Sequence, residues 1–187
     1  MGDIMTLIDA LDSNGNPIGI AKTKQEIHKE GLWHKAAHVW IYNSKEQILL
    51  QLRSKCKDSH PGLFDISAAG HVDSGESTET SAIREIKEEI GLNVNKDDLK
   101  LIGIRKVSKY HKEIDWQNNE IDYVYLLKFE GKIEELTFPD REVEALKWIP
   151  IEELIKELKD PKSLKKYVDH GDYYYFVIEQ VRAALEN

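Results

Sequence analysis

The chain has 187 residues, a formal net charge of −8 and 41% hydrophobic residues. This length suits one domain with a sizeable core, and the acidic balance disfavours nonspecific binding to nucleic acid polymers. The single cysteine, Cys56, excludes an internal disulfide. No secretory apolar segment or membrane-length apolar run is visible, so we expect a cytoplasmic protein with no membrane partner.

The first third of the chain predicts a hairpin, a helix and several strands. Asn14-Gly15 is a strong two-residue hairpin signal between two apolar runs. Later apolar runs are separated by polar, turn-forming residues, which is typical of strands joined by loops. The predicted elements are hairpin strands at 4–11 and 17–21, a helix at 23–30, strands at 36–42 and 47–52, a polar loop at 53–62 and a short strand at 63–69.

The stretch 70–92, GHVDSGESTETSAIREIKEEIGL, predicts a turn-rich loop followed by a helix. Ser77 is a good N-cap candidate, and Gly91 suits a left-handed C-cap. Three isoleucines between them recur at spacings that put them on one apolar face. The helix is therefore expected to begin after Ser77 and to end before Gly91.

The other face of this helix carries three carboxylates. Glu85, Glu88 and Glu89 stand at i, i+3 and i+4, and each exposed like-charge pair costs about 0.2–0.5 kcal/mol. A hard divalent cation such as Mg²⁺ would relieve this repulsion, because it takes oxygen ligands of this kind. A solvated acidic face is the alternative interpretation.

The second half of the chain continues the mixture of strands and helices. Aromatic residues at 173–176 predict packing onto the sheet, with a homodimer surface as the alternative. We expect one domain over 1–187, with a hairpin and helix in 1–30 and a helical region in 160–187. The remaining predicted elements are strands at 99–109 and 121–129, a loop from Tyr110 to Glu120, a strand at 144–149 and a helix at 151–158.

The spacing of the acidic motif decides between its two interpretations. Five residues separate Gly70 from Glu76, and seven more precede the run Arg84-Glu85-Ile86-Lys87-Glu88-Glu89-Ile90-Gly91-Leu92. This pattern resembles the Nudix box with every specified position filled. The resemblance implies an α+β fold, a mixed α/β sandwich in which a mixed β-sheet packs between helices.

The resemblance also implies a chemistry. Nudix enzymes use Mg²⁺ or Mn²⁺ to hydrolyse a diphosphate linked to a group X, and the bound cation neutralises the anion and activates water. The implied substrate is a small molecule of the nucleoside diphosphate-X type. The implied metal ligands are Glu85, Glu88 and Glu89, assisted by Glu76 and the carbonyl of Gly70, with Arg84 orienting the carboxylates. For the general base, Glu120 and Glu142 are candidates, and Glu144 is a weaker one.

A closer resemblance covers residues 34–120, which look like the isopentenyl-diphosphate isomerase branch of the superfamily. Arg53 and Lys57 match the residues that grip the diphosphate in those isomerases. Glu120 matches a catalytic glutamate. The metal-binding histidines match His34 and His71, for which ordinary strand and loop histidines remain the alternative. His28 and His38 have no firm match and are expected to be structural.

Two departures from the isomerase pattern shift the expected function. The isomerase cysteine falls at Ala69, which cannot move a proton, and a metal-binding glutamate falls at Asn118. Isomerases carry a degraded box, whereas this box is complete. We therefore expect a diphosphate hydrolase on an isomerase-like scaffold, with an isomerase-like enzyme and a noncatalytic ligand-binding module as alternatives.

Overall fold

The computed structural model describes residues 6–139 and 141–186 of the chain. Within these ranges nine strands form one mixed sheet, and helices cover both of its faces. In chain order the elements are β1 (Leu7–Leu11), β2 (Pro17–Thr23), α1 (Lys24–Glu30), β3 (Trp33–Tyr42), β4 (Gln47–Arg53), β5 (Phe64–Asp65), β6 (Ala68–His71), α2 (Thr78–Ile90), β7 (Leu99–His111), β8 (Trp116–Lys128), β9 (Val143–Pro150), α3 (Ile151–Lys159), α4 (Pro161–Leu164) and α5 (Tyr173–Leu185). Residues 4 and 5 of the predicted first strand, and residue 187, lie outside the described ranges.

Strand β3 lies at the centre of the sheet. It pairs with β8 in parallel along its whole length, from Trp33 opposite Asn119 to Tyr42 opposite Lys128. On its other edge β3 pairs with β1 at Trp33, then with β6 and, at its last two residues, with β4. Strand β4 continues the sheet through β9 and β5. Three strands therefore share this edge of β3, each over a short segment.

The two faces of β3 pack against different helices because side chains alternate along a strand. Val39 and Ile41 belong to a buried cluster with Ile86 and Ile90 of α2. Trp40 belongs to a second cluster that includes residues of α3 and α5. This arrangement confirms the mixed α/β sandwich and the packing of the late aromatic residues onto the sheet. Within the described ranges, none of the helices is both long and apolar enough to cross a bilayer.

The predicted loop from Tyr110 to Glu120 is wrong. Strands β7 and β8 continue through this segment as a long antiparallel hairpin, with His111 opposite Trp116 and only residues 112–115 in the turn. The polar side chains here alternate between the two faces of the hairpin. A search for apolar alternation misses such a strand, because its inward-facing residues are polar.

The predicted single strand at 63–69 divides into β5 and β6. The chain changes partner between them, from β4 to β3. Ser67 lies at this change: its hydroxyl accepts a hydrogen bond from the Ile41 amide at 2.8 Å and donates to the Leu49 carbonyl at 2.5 Å. A buried serine thus replaces the backbone pairing that one continuous strand would have supplied.

The caps predicted for α2 are confirmed. The Ser77 side chain accepts a hydrogen bond from the Thr80 amide, and Gly91 ends the helix at a φ of 69°. A Cβ atom added to Gly91 would lie 2.1 Å from Oγ1 of Thr137. Gly91 therefore meets two constraints, a left-handed backbone and a close neighbour.

We predict that Gly91→Ala destabilises the protein more than Gly19→Ala. Both glycines have a positive φ, 69° and 75°, and a side chain in this region costs about 1–2 kcal/mol. Gly19 has no atom within 4 Å of its added Cβ, whereas Gly91 must also displace Thr137. Urea unfolding of both variants measures the difference, and equal losses would show that the close contact at Thr137 relaxes freely.

Candidate functional site

A cleft of about 930 Å³ runs from the C-terminal part of α2 across the sheet to β7. Its acidic end contains Glu85 and Glu88 of α2, and its floor is formed by β6, β3 and β8. The end of β4 contributes Arg53 to one wall, and the loop that follows contributes Lys57. The cleft therefore opens where β6 and β4 diverge from the edge of β3.

Arg84 organises the acidic end of the cleft. Its Nη1 donates to Glu85 at 2.6 Å and to Glu88 at 3.1 Å, and its Nη2 donates to Glu76 at 3.1 Å. The same Nη2 also donates to the backbone carbonyl of His71 at 3.0 Å. One guanidinium thus fixes three carboxylates relative to the start of the loop that precedes α2.

Glu89 is the most deeply buried of the box carboxylates, with 1% of the residue exposed. Its Oε2 accepts hydrogen bonds from Gln51 at 3.1 Å and from the Ala69 amide at 3.0 Å, and Lys57 lies 3.8 Å from its Oε1. Burial raises the pKa of Glu89 to about 8 and the pKa of Glu85 to about 7. These two carboxyls hold protons readily because water no longer stabilises their charge.

Gly70 brings the backbone of β6 against this carboxylate group. A Cβ atom at Gly70 would lie 2.1 Å from the Glu85 carboxylate, so glycine is the residue that allows this approach. Glu85, Glu88 and Glu89 present oxygen donors of the kind that Mg²⁺ and Mn²⁺ take. Buried carboxylates beside a closely packed backbone fit a small divalent cation, which would compensate their charge.

The predicted diphosphate-gripping residues lie on the cleft wall and have protein partners. Arg53 forms a salt bridge with Asp65 at 3.0 Å and donates to the Ser59 carbonyl. Lys57 forms an ion pair with Glu142. Both basic side chains line the cleft while a carboxylate balances their charge.

The cleft floor is formed by every second residue of its strands, and most of these side chains are polar. Register pairs place His34 opposite Glu120, and Ala36 opposite both Asp122 and His71. Because paired residues point to the same face, these side chains share one surface. The residues of this face are His34, Ala36 and His38 on β3, Ala69 and His71 on β6, Glu120 and Asp122 on β8, and Arg105 on β7.

Three histidines gather around Glu120 at one end of this floor. The side chains of His28, His34, His71 and Glu120 offer ligand atoms that all lie within 4.8 Å of one another. Oε1 of Glu120 lies 3.6 Å from Nε2 of His34 and 3.4 Å from Nε2 of His71. Burial lowers the pKa of His71 to about 4, which favours the neutral imidazole that a metal requires.

Backbone contacts orient two of these rings. Nδ1 of His28 lies 2.7 Å from the Lys24 carbonyl, and Nδ1 of His34 lies 3.0 Å from the Leu32 carbonyl. A carbonyl accepts a hydrogen bond only from a protonated nitrogen, so Nδ1 of each ring carries a proton. Nε2 of His28 lies 3.0 Å from Oδ1 of Asn118, whereas Nε2 of His34 faces the cluster. Nε2 of His34 is buried with no hydrogen-bond partner among the described residues. These features suit a metal-binding imidazole.

The structure brings the predicted site residues together in two groups. Glu76, Arg84 and the three box glutamates form the acidic end, while His34, His71 and Glu120 form the histidine cluster on the floor. Glu142 is close to the acidic end through Lys57, whereas Glu144 is absent from the residues that line the cleft.

Sequence reasoning treated His28 and His38 as structural and did not single out Asp122. The structure places His28 in the histidine cluster and both other side chains on the cleft floor. The signal that could have found them is the even spacing of polar residues along two strands, at 34 and 38 and at 120 and 122. His28 comes from a helix packed near β8, which no local spacing reveals.

The chain belongs to the NUDIX domain family, whose members match its residues 32–170. "Nudix hydrolase 3" of Arabidopsis thaliana is 38% identical over 169 residues. These residues make up 88% of this chain but 22% of the plant protein, so the chain spans about a fifth of that relative. The family is one of hydrolases that act on diphosphate-containing substrates.

Isomerases are also among the relatives. "Isopentenyl-diphosphate Delta-isomerase 2" of Photorhabdus laumondii is 33% identical over 150 residues, which cover 80% of this chain and 78% of that protein. The crystal structure of DR0079 from Deinococcus radiodurans has the same fold, with a TM-score of 0.63 and 21% identity. The match covers 93% of the present chain and 98% of the DR0079 chain.

In metal-free buffer, the stability of the wild-type protein should fall as the pH rises, and Glu89→Gln should make this fall smaller. Burial raises the pKa of this carboxyl to about 8 in the folded state, whereas a glutamate in the unfolded chain has its ordinary pKa of 4.5. The folded state therefore binds more protons between these values, and its stability falls as the pH rises through them. Glutamine removes this titration, which urea unfolding at about pH 5 and about pH 8 measures.

Glu88→Gln is the matched control, because its side chain is 52% exposed. It should retain the pH dependence of the wild-type protein. The interpretation of Glu89 as a buried, proton-holding carboxyl would fail if both variants lost stability with pH as steeply as the wild type does.

Proposed function

We propose that this protein is a Mg²⁺-dependent hydrolase, with Mn²⁺ as an alternative ion, that cleaves a diphosphate linkage in a nucleoside diphosphate-X substrate. The observation that carries the proposal is the complete carboxylate set of Glu85, Glu88 and Glu89 at one end of the cleft. Arg84 holds two of these carboxylates, and Gln51 and a backbone amide hold the third. A noncatalytic module would need no such set.

The acidic end would hold the cation. Glu85, Glu88 and Glu89 are the proposed ligands, with Glu76 and the Gly70 carbonyl in support. A bound Mg²⁺ supplies charge neutralisation at the diphosphate and lowers the pKa of water. Arg84 keeps the carboxylates in place before the ion arrives, because its guanidinium already offsets part of their repulsion.

The two basic residues on the cleft wall would bind the diphosphate. Arg53 and Lys57 are paired with Asp65 and Glu142, and a doubly charged phosphate group can compete for such partners. Lys57 also lies 3.8 Å from Glu89, so it stands between the acidic end and the wall. His34 and His71 extend the proposed substrate contacts along the floor.

Glu120 is the proposed general base outside the box. Its side chain is 16% exposed, lies on the cleft floor and is within reach of two histidines that favour its charged form. Glu142 is the alternative, since it lies beside Lys57 at the acidic end. Glu144 is a poorer candidate because it is absent from the cleft lining.

An isomerase is the second candidate, and the histidine cluster is the observation that favours it. The cluster contains His34, His71 and Glu120, the residues that resemble the metal-binding and catalytic residues of the isomerases. Ala69 opposes this candidate, because it lies on the cleft floor and offers no group that can exchange a proton with carbon.

Glu88→Gln and Glu89→Gln should keep the fold and lower diphosphate hydrolysis by roughly a hundredfold or more, since each removes a charge from the proposed ion site. A panel of nucleoside diphosphate conjugates, assayed with and without Mg²⁺ and with product identification, measures this. Glu79→Gln is the matched control, because Glu79 lies on the same helix at a position that the box leaves unspecified. Turnover near the wild-type rate in the first two variants at saturating Mg²⁺ would rule out the ion site.

The unmodified protein should fail to isomerise isopentenyl diphosphate, because Ala69 leaves the reaction with one acid–base group fewer. Formation of the allylic isomer is measured directly by product analysis. Ala69→Cys restores a thiol at this position, and trace isomerisation by that variant would support the alignment with the isomerases. Clear isomerase turnover by the wild-type protein would instead overturn the choice of hydrolase.

A further inference from the structure

A second group of metal-ligating side chains lies beside the histidine cluster. His38, Glu120 and Asp122 offer ligand atoms that all lie within 4.8 Å of one another. They share one surface because Glu120 and Asp122 are two residues apart on β8 and His38 is on the neighbouring strand β3. Glu120 belongs to both groups, so it lies at the centre of a continuous polar floor.

Asp122 is oriented so that one carboxylate oxygen has no partner. Arg105 on β7 lies 3.3 Å from Oδ2, which fixes the carboxylate plane. Oδ1 is buried and has no hydrogen-bond partner among the described residues, and the whole residue is 1% exposed. An unpaired buried carboxylate oxygen is costly, so this atom calls for a ligand that carries positive charge.

A side-chain contact also orients the ring of His38. Its Nδ1 lies 3.1 Å from the Tyr173 hydroxyl oxygen, which in turn accepts a hydrogen bond from Nε1 of Trp40 at 2.9 Å. In the tautomer that donates from Nδ1 to this hydroxyl, Nε2 presents its lone pair towards Asp122. Metal-binding histidines are commonly oriented in this way, by a partner on the other ring nitrogen.

The gap between the two ligand atoms is too long for a hydrogen bond and fits a shared cation. Nε2 of His38 lies 3.8 Å from Oδ1 of Asp122, beyond hydrogen-bond range. A tetrahedral ion with bonds of about 2.0–2.2 Å separates its ligand atoms by roughly 3.4 Å. A shift of a few tenths of an ångström would therefore bring both atoms onto one ion.

The charges of the surrounding side chains also favour a bound cation. The buried carboxylates of Glu120 and Asp122 lie on one face, and Arg105 is the cation paired with this group in the described structure. One guanidinium does not stabilise both as carboxylates: burial and the nearby Glu120 raise the pKa of Asp122, because its negative charge is poorly compensated here. A divalent cation with nitrogen and oxygen ligands would compensate this charge.

We propose that His38, Glu120 and Asp122 form a binding site for a divalent transition-metal cation of the Zn²⁺ and Co²⁺ class. An imidazole nitrogen with two carboxylates suits such ions better than Mg²⁺, which prefers oxygen alone. Three protein ligands leave a fourth position open to the cleft. The site is separate from the carboxylates of α2, and it stands whether or not the protein hydrolyses diphosphates.

Metal counting tests this proposal without an activity assay. Chelator-stripped protein is titrated with Co²⁺ in excess Mg²⁺, which occupies oxygen-only sites, and bound Co²⁺ is counted by native mass spectrometry and by its visible absorption. His38→Gln and Asp122→Asn should each bind one Co²⁺ fewer than the wild type, or bind it at least tenfold more weakly. His111→Gln, which changes a cleft histidine outside the group, should keep the wild-type count.

Circular dichroism confirms that each variant is folded before its metal is counted. The proposal is overturned if folded His38→Gln and Asp122→Asn bind as much Co²⁺ as the wild type, with the same absorption. Should either variant fail to fold, Co²⁺-soaked crystals of the wild-type protein decide the matter. An anomalous peak between Nε2 of His38 and Oδ1 of Asp122 supports the site, and its absence at saturating Co²⁺ refutes it.

Discussion

The central strand β3 imposes the constraint on which the remaining structure depends. It is hydrogen-bonded to β8 along its whole length, so the side chains of both strands are locked to common faces. On one face β3 is apolar throughout its buried part, because α2 covers it. On the other face it changes from His34 and His38 to Trp40 and Tyr42, and the change falls where α5 begins to cover the sheet. The cleft floor is therefore the part of this face that no helix covers, and the part that α5 covers belongs to the hydrophobic core.

Charge is distributed along the cleft in alternating groups. Arg84 lies among the carboxylates of α2, Lys57 links Glu89 to Glu142, and Arg105 accompanies Asp122. No one of these ion pairs is fully exposed, so water screens them less than it would at the surface. Each carboxylate group contains a buried carboxyl whose pKa is raised because its charge is poorly compensated, which explains why both ends of the cleft are suited to cations although their donor atoms differ.

The sequence predicted the fold class and α2 well because those features depend on local patterns. Ser77 and Gly91 mark the helix ends by their own conformational preferences, and the box spacing is contained within one loop and one helix. The β7–β8 hairpin was missed because its inward-facing residues are polar, and strand recognition relies on apolar alternation. The split between β5 and β6 depends on Ser67 bonding to two other strands, which no local pattern reports.

The candidate site was predicted in part for the same reason. Glu85, Glu88 and Arg84 meet through helical spacing alone, so their grouping follows from the sequence. His28 and His34 meet only because α1 packs near β8, and His38 meets Asp122 only because β3 and β8 pair in this register. Contacts made across a sheet require the register, and the register is a property of the whole fold.

Two orienting contacts at the cleft floor come from outside the region that defines the family. His28 precedes residue 32 and Tyr173 follows residue 170, yet the first completes the histidine cluster and the second holds the ring of His38. A fragment trimmed to 32–170 would keep every residue of the acidic box while losing α1 and α5. Such a fragment would preserve the family signature and discard part of what distinguishes this member, so its ligand preferences would not represent those of the whole chain.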